Sequence, residues 1–206
     1  MSNYQEASLT LQNLIRAKNT LFTVATLLNK NGIPYHLEGG TLLGLVRDKA
    51  LLPWDHDVDI SVPAHHTLQL LKLRYEFLKH GYKISPKKSP KTIGPIKKGE
   101  YYVIKVKPLL SYMINWFIPS YKKNYIVLDI FLKRRDDHYT YWEAKGKVMR
   151  VENKFYETYE TVYYGDVPLK APNHYREYLT QKYGDWSIPV KEWDCAKNEL
   201  TIFTSD

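Results

Sequence analysis

The sequence predicts a single α+β domain in which helices cover a sheet, and three observations predict it. Apolar residues recur at helical spacing near the N-terminus, polar and apolar residues alternate at strand spacing further on, and a short strand runs into a glycine pair that opens a helix. The chain has 206 residues, 44% hydrophobic and 25% charged, the balance of one globular domain rather than a disordered polymer. Its one cysteine, Cys195, excludes an intrachain disulfide framework and a cysteine-built zinc cage. The N-terminal MSNYQEASLTLQNLIRAKN is polar, and no stretch approaches the roughly 18 apolar residues of a membrane span. A cytoplasmic protein is therefore expected, either free or at the inner face of a membrane.

Taken in order, residues 5–30 place Leu9, Leu11, Leu14, Ile15, Leu21, Phe22, Ala25 and Leu28 at i, i+3, i+4, i+7 spacing. They predict an amphipathic helix stopped by Asn31-Gly32. Ile33 to Leu37 reads as a strand running into Gly39-Gly40, and Thr41 to Arg47 as a helix opening on a capping threonine. WDHDVDISV, residues 54–62, alternates in strand period, and Thr67 to His80 reads as a second amphipathic helix. Strands are expected at Tyr101 to Lys107 and Tyr125 to Leu132, giving a core over about residues 5–135. Residues 136–206 read as a loopy, Tyr-rich extension with a helix near His174 to Tyr183. No repeat or linker divides the chain, so residues 1–206 are expected to form one domain.

The 30 Lys+Arg and 22 Asp+Glu leave a net charge of +8, and the segment Lys83 to Lys107 holds +7 of it in eight lysines against Glu100. Its prolines, Pro86, Pro90 and Pro95, suggest a mobile loop, either simply solvated or serving as a flap toward an anionic substrate or membrane. Nucleic-acid binders usually spread such charge along a face with aromatics interleaved, so no nucleic-acid partner is expected.

The chemistry is expected from carboxylates. Asp55, Asp57 and Asp59 alternate with His56, Val58 and Ile60, so on one strand all three acids face the same way. Such a row repels itself unless a cation offsets it, and Mg²⁺, with Mn²⁺ as the alternative, is the natural partner. An edge strand with acids in solvent explains the same spacing. Asp129 lies within the apolar run YIVLDIFL, where a lone charge is costly unless it completes a site. Should its strand lie beside residues 54–62, three carboxylates could clamp phosphates around metal. Gly39, Gly40 and Thr41 supply a backbone turn at a helix N-terminus suited to a phosphate, and Arg47 a guanidinium suited to its oxygens. Each of the last two features is also common in purely structural roles.

The stretch EGGTLLGLVRDKALLPWDHDVDISV, Glu38 to Val62, resembles the signature of the LicD family, roughly GGTLLGxxR, a short spacer, then PWDxDxDI. Fukutin and fukutin-related protein belong to the same group, within the polymerase-beta-like nucleotidyltransferase superfamily. YIVLDIFLK at 125–133 and YLTQKYGDWSIP at 178–189 are similar to two later elements of that family. The resemblance implies a nucleotidyltransferase-like mixed sheet flanked by helices. It also implies that Asp57 and Asp59 are principal metal ligands, Asp55 the leading acid of the row and Asp129 the third catalytic carboxylate. Gly39, Gly40 and Thr41 become the phosphate-holding turn, and Arg47 also matches. The implied reaction moves a substituted phosphate, such as phosphocholine or an alditol phosphate, from a CDP-linked donor to a hydroxyl of a glycan or lipid-linked glycan. Nucleotidyl transfer to a small molecule or RNA end would use the same carboxylates, and a non-enzymatic basic module would use the charge alone.

Other residues have plainer readings. Tyr183-Gly184-Asp185-Trp186 reads as a helix end and turn, His65-His66 as a cap or surface pair, and Cys195 as a packing residue. PLLSYMINWFIP, residues 108–119, is too short to span a bilayer and reads as core, or as an interfacial patch beside the lysines. The tyrosines from Tyr139 to Tyr164 and Trp142 suit either core packing or sugar stacking.

Overall fold

The N-terminal periodicity forms helix α1 (Leu11–Lys30). This is a computed structural model that describes residues 11–117 and 126–203, so the expected helix start at residue 5, with Leu9, lies outside the described residues. Ala17, Leu21, Val24, Ala25 and Leu28 form its buried stripe, laid over strands β2 (Asp57–Pro63) and β5 (Val127–Arg135). Asn31 and Gly32 end it as expected: the Asn31 side-chain Nδ2 donates to the Leu27 carbonyl at 2.8 Å, and Gly32 takes φ 64°.

Strand β1 is only His36–Leu37, because Glu38 already turns the chain into helix α2 (Gly39–Arg47). The cap of α2 is Glu38 and not Thr41. Glu38 is extended at φ −136°, ψ 167°, and its side chain accepts from the Gly39 amide, so the glycine pair lies inside the helix. The buried hydroxyl oxygen of Thr41 instead accepts the Asp59 amide at 2.8 Å.

The sheet runs in the order β1-β2-β5-β4-β3, with β3 (Tyr82–Lys88) at one edge and β4 (Tyr101–Pro108) inside it. β2 and β5 pair in parallel and the other pairs are antiparallel, which makes the sheet mixed. Side-chain alternation divides it into two unlike faces. Val58, Ile60, Val62, Ile104, Val106, Leu128, Ile130 and Leu132 are all fully buried on the helix-covered side. The opposite side carries Asp57, Asp59, Ser61, Lys105, Asp129 and Lys133, and the site is built there.

Lys83, Lys87 and Lys88 belong to β3, so the expected mobile loop is shorter and more ordered than the prolines suggest. Pro86 is tolerated because an edge strand has a side that needs no ladder donor. The connection to β4 is closed by the Ser89 amide on the Glu100 carbonyl and the Gly99 amide on the Ser89 carbonyl, both 2.8 Å, with Ile96 buried against Tyr141 and Val148. The expected helix from Thr67 to His80 forms as two pieces, α3 (Thr67–Lys72) and α4 (Arg74–Lys79), broken at Leu73.

The C-terminal third holds far more strand than its loopy composition suggests. β6 (Tyr139–Ala144) and β7 (Lys147–Glu152) extend the sheet from the end of β5, and β8 (Tyr159–Tyr164) with β9 (Val167–Pro172) forms a second small sheet beside β1. Lys145 at φ 47° and Gly146 at φ 73° make the two-residue hairpin turn that joins β6 to β7. Helices α5 (Leu109–Phe117), α6 (Tyr175–Tyr183) and α7 (Cys195–Asn198) complete the order. One hydrophobic cluster takes in α1, the sheet, Trp142, Phe155 and Tyr178. No helix among the described residues is long and apolar enough to cross a membrane.

Candidate active site

Two strands deliver the clustered carboxylates, β2 with Asp57 and Asp59 and β5 with Asp129. Parallel pairing sets Asp59 opposite Asp129 and Asp57 opposite Val127, so the acids of β2 and β5 lie on one face of neighbouring strands. One oxygen from each of Asp57, Asp59 and Asp129 lies within 4.8 Å of the others, the spacing of groups that share a cation. Asp55 stands outside this cluster. It precedes β2, its carboxylate accepts the His56 amide at 2.9 Å, and it lies close enough to Asp59 to repel it. The regular alternation expected from Asp55 onward therefore begins only at Asp57, once the chain has entered the sheet.

The glycine pair explains its own composition. Gly39 sits at φ 55°, and a Cβ on it would run into the Asp59 carboxylate, while one on Gly40 would run into the Asp55 carboxylate. Lacking side chains, the two residues let the positive end of α2 come up against both acids. Arg47 stands at the other end of α2, roughly 12 Å of helical rise away. Its Nε and one terminal nitrogen donate to Asp48 at 2.8 and 2.9 Å, and the other donates to the Trp186 carbonyl at 3.3 Å. The structure thus brings Gly39, Gly40, Thr41, Asp55, Asp57, Asp59 and Asp129 together and leaves Arg47 tying α2 to the turn after α6.

Burial raises the Asp59 pKa well above the usual carboxylate range, and repulsion from Asp57, Asp129 and Asp55 adds to it. Burial also raises Asp129, against the opposing pull of Lys105. Asp129 Oδ1 is buried and has no hydrogen-bond partner among the described residues. A self-repelling set of hard oxygen donors with an orphaned buried oxygen fits a divalent cation of the Mg²⁺ or Mn²⁺ class.

Two further charges belong to this site although their sequence context hid them. Lys105 pairs in register with Asp129 and donates to Asp129 Oδ2 at 2.6 Å. Burial alone would lower the Lys105 pKa; the Asp129 carboxylate outweighs it, and the ammonium is held above its usual range. Among eight clustered lysines it looked like surface charge, yet in YYVIKVK it alternates with Ile104 and Val106 as a site-facing residue must.

Glu38 is the second. It is 1% exposed, and its Oε1 accepts from the Gly39 amide at 3.0 Å, Tyr178 at 2.6 Å and Lys182 at 2.8 Å. Oε2 accepts from Ser61 at 3.1 Å and pairs with Lys133 at 2.7 Å. Burial would raise the Glu38 pKa, but the ammonium groups of Lys133 and Lys182 outweigh it and keep the carboxylate ionised. The Lys133 nitrogen also lies 3.0 Å from the Trp142 ring centroid, a cation–π contact deep in the protein. The signal available in sequence was a lone acid between an apolar strand and Gly-Gly.

With this geometry in view, residues 32–174 match the family model described as LicD/FKTN/FKRP, nucleotidyltransferase domain. The chain belongs to the LicD/FKTN/FKRP family. Ribitol-5-phosphate transferase FKTN of Homo sapiens is 25% identical over 190 residues, covering 90% of this chain and 36% of that protein. Ribitol 5-phosphate transferase FKRP of Homo sapiens is 42% identical over 45 residues, 22% of this chain and 9% of that protein. An uncharacterized protein of Rickettsia prowazekii (strain Madrid E) is 41% identical over 59 residues, 29% of this chain and 22% of its own length. The chain thus spans well under two thirds of these relatives. Within the LicD/FKTN/FKRP segment lie β2 and β5, which hold every residue of the carboxylate cluster, and α2, which holds the glycine pair.

Proposed function

We propose that this protein is a metal-dependent phosphotransferase that moves a substituted phosphate from a CDP-linked donor to a hydroxyl of a glycan or lipid-linked glycan. The observation that carries the reading is the convergence of Asp57, Asp59 and Asp129 at the N-terminal end of α2. The FKTN and FKRP relatives, named as ribitol-phosphate transferases, support the transferred group being an alditol phosphate or one of similar kind.

A divalent cation bound by Asp57, Asp59 and Asp129 would neutralise the donor's phosphates and stabilise charge developing on them. The chain's own residues do the rest. Gly39 and Gly40 hold the phosphates at the positive end of α2, and Thr41 positions Asp59 through its backbone amide. Lys105 fixes the Asp129 carboxylate through Oδ2, and that carboxylate takes up the acceptor hydroxyl proton as the new bond forms. A bond forms between the acceptor oxygen and the transferred phosphorus, the bond to cytidine monophosphate breaks, and the nucleotide departs with its electron pair.

The test is turnover with CDP-ribitol, CDP-glycerol, CDP-choline and CDP-ethanolamine in the presence and absence of Mg²⁺, with product analysis. Release of free CMP is the expected result, and nucleotide retained on the acceptor would establish nucleotidyl transfer instead. Asp59→Asn is expected to keep the fold and lose turnover by a factor of about 10³ or more. Near-normal activity of the folded variant overturns the reading.

A further inference from the structure

Helix α5 turns an apolar stripe away from the protein. Leu110, Met113 and Phe117 recur at i, i+3 and i+7 and are 71%, 50% and 79% exposed. The expectation that this run packs in the core is thus reversed at these three positions, and no described residue covers them. A stripe of this kind ordinarily faces a core or a partner surface.

The flank of the stripe is cationic. The Lys83 ammonium lies 3.7 Å from the Tyr112 ring centroid, which fastens α5 to the sheet. Lys83 is the register partner of Lys107, and Lys105, two residues along β4, is the partner of Asp129. By alternation Lys83, Lys87, Lys105 and Lys107 share the sheet face of the carboxylate cluster. Glu100, the only acid between Lys83 and Phe117, pairs with Arg134 at 3.0 Å. No salt bridge among the described residues offsets Lys83, Lys87, Lys88 or Lys107.

We propose that the exposed stripe of α5 and the lysines of β3 and β4 form a docking surface for an anionic lipid bilayer, beside the candidate active site. Charge decides among occupants. A second copy of the chain would oppose one cationic surface to another, and a nucleic acid would engage the lysines while leaving Leu110, Met113 and Phe117 without partners. An anionic bilayer satisfies both, taking the apolar side chains below its headgroups and the ammonium groups at them. Lys107 lies on β4 two residues beyond Lys105, the register partner of Asp129, and by alternation on the same face, so the surface opens on the carboxylate side of the sheet. Its use in presenting a lipid-linked acceptor rests on the transferase reading; the docking itself does not.

Co-sedimentation of the full chain with vesicles, in the absence of any donor, tests the docking apart from the reaction. Binding is expected to vesicles of phosphatidylcholine with phosphatidylglycerol, to weaken about tenfold or more on raising the salt, and to be far lower on phosphatidylcholine alone. Leu110→Ser with Phe117→Ser is expected to cut binding at least tenfold while the thermal melt stays unchanged, because both residues are exposed. Lys87→Gln with Lys88→Gln is expected to reduce both the affinity and its salt dependence. Equal sedimentation of wild type and the α5 variant, equal binding to both vesicle types, or a dimer in ultracentrifugation that the α5 variant abolishes would each overturn the proposal.

Discussion

Gly39 and Gly40 are positions where one methyl group meets the chemistry directly. At Gly39 an alanine would carry two penalties, a positive φ of 55° and a collision with the Asp59 carboxylate. Gly146 makes a fair control, since it also has positive φ, at 73°, but has nothing within 4 Å of the added carbon. Gly146→Ala is therefore expected to cost about 1 kcal/mol of stability with activity unchanged. Gly40→Ala has no φ penalty and pushes Asp55 aside, so it is expected to lower turnover at least tenfold with a smaller loss of stability. Denaturant melts and donor turnover on the two variants check this, and equal turnover would show that the turn does not shape the site. The sequence made Asp57, Asp59 and Asp129 legible because carboxylates among apolar strand residues are costly without a purpose. It hid Lys105 and Glu38 because a lysine among lysines and an acid before a glycine turn each have a commoner explanation.

At the scale of elements, the ladder joining β4, β5 and β2 places Lys105, Asp129 and Asp59 on one line across the sheet. In the absence of metal, Lys105 is the cation nearest the cluster by hydrogen bond, so replacing it exposes the repulsion among the acids. Lys105→Met is expected to destabilise the metal-free protein by about 1–2 kcal/mol, less than for a fully buried pair because its side chain is 32% exposed. Millimolar Mg²⁺ should return most of that stability, as a cation now does what the ammonium did. Thermal melts of wild type and variant, each with and without Mg²⁺, measure the effect; a loss that Mg²⁺ leaves untouched would place Lys105 outside the site's charge balance. The strongly periodic elements, α1, β2, β4 and β5, were readable from spacing alone. Strands β6 to β9 were not, because they are short, tyrosine-rich and joined by turns whose Lys145-Gly146 and Gly165 signals are slight beside the aromatic composition. The cap of α2 was misplaced for a related reason: a glycine pair looks like a turn before a helix even when it is the helix's first two residues.

Across the whole molecule, the Glu38 network joins parts of the chain that sequence distance keeps apart, with Ser61 from β2, Lys133 from β5, and Tyr178 and Lys182 from α6. His36 lies against this network, its ring stacked on Tyr156 at 4.8 Å and on Tyr159 at 6.0 Å. Its Nδ1 lies 2.9 Å from the Leu37 carbonyl, which can only accept, so Nδ1 carries the proton of a neutral ring. Burial lowers the His36 pKa from 6.5 to about 4, with Lys133 and Lys182 pushing the same way and Glu38 opposing. An unfolded chain takes up this proton as the pH falls below 6.5, while the folded ring refuses it until about 4, so the His36 contribution to stability is lost through that window and is constant above it. The full loss attributable to His36 is on the order of 3 kcal/mol. His36→Phe keeps an aromatic ring in the stack, gives up one hydrogen bond worth roughly 1 kcal/mol, and cannot titrate. Wild type is thus expected to be the more stable of the two at about pH 7.5, and the variant to draw level or overtake it near pH 4.5. Denaturant unfolding at both pH values measures the gap, and a gap that does not change with pH would mean that the buried imidazole does not set the acid limit of the fold.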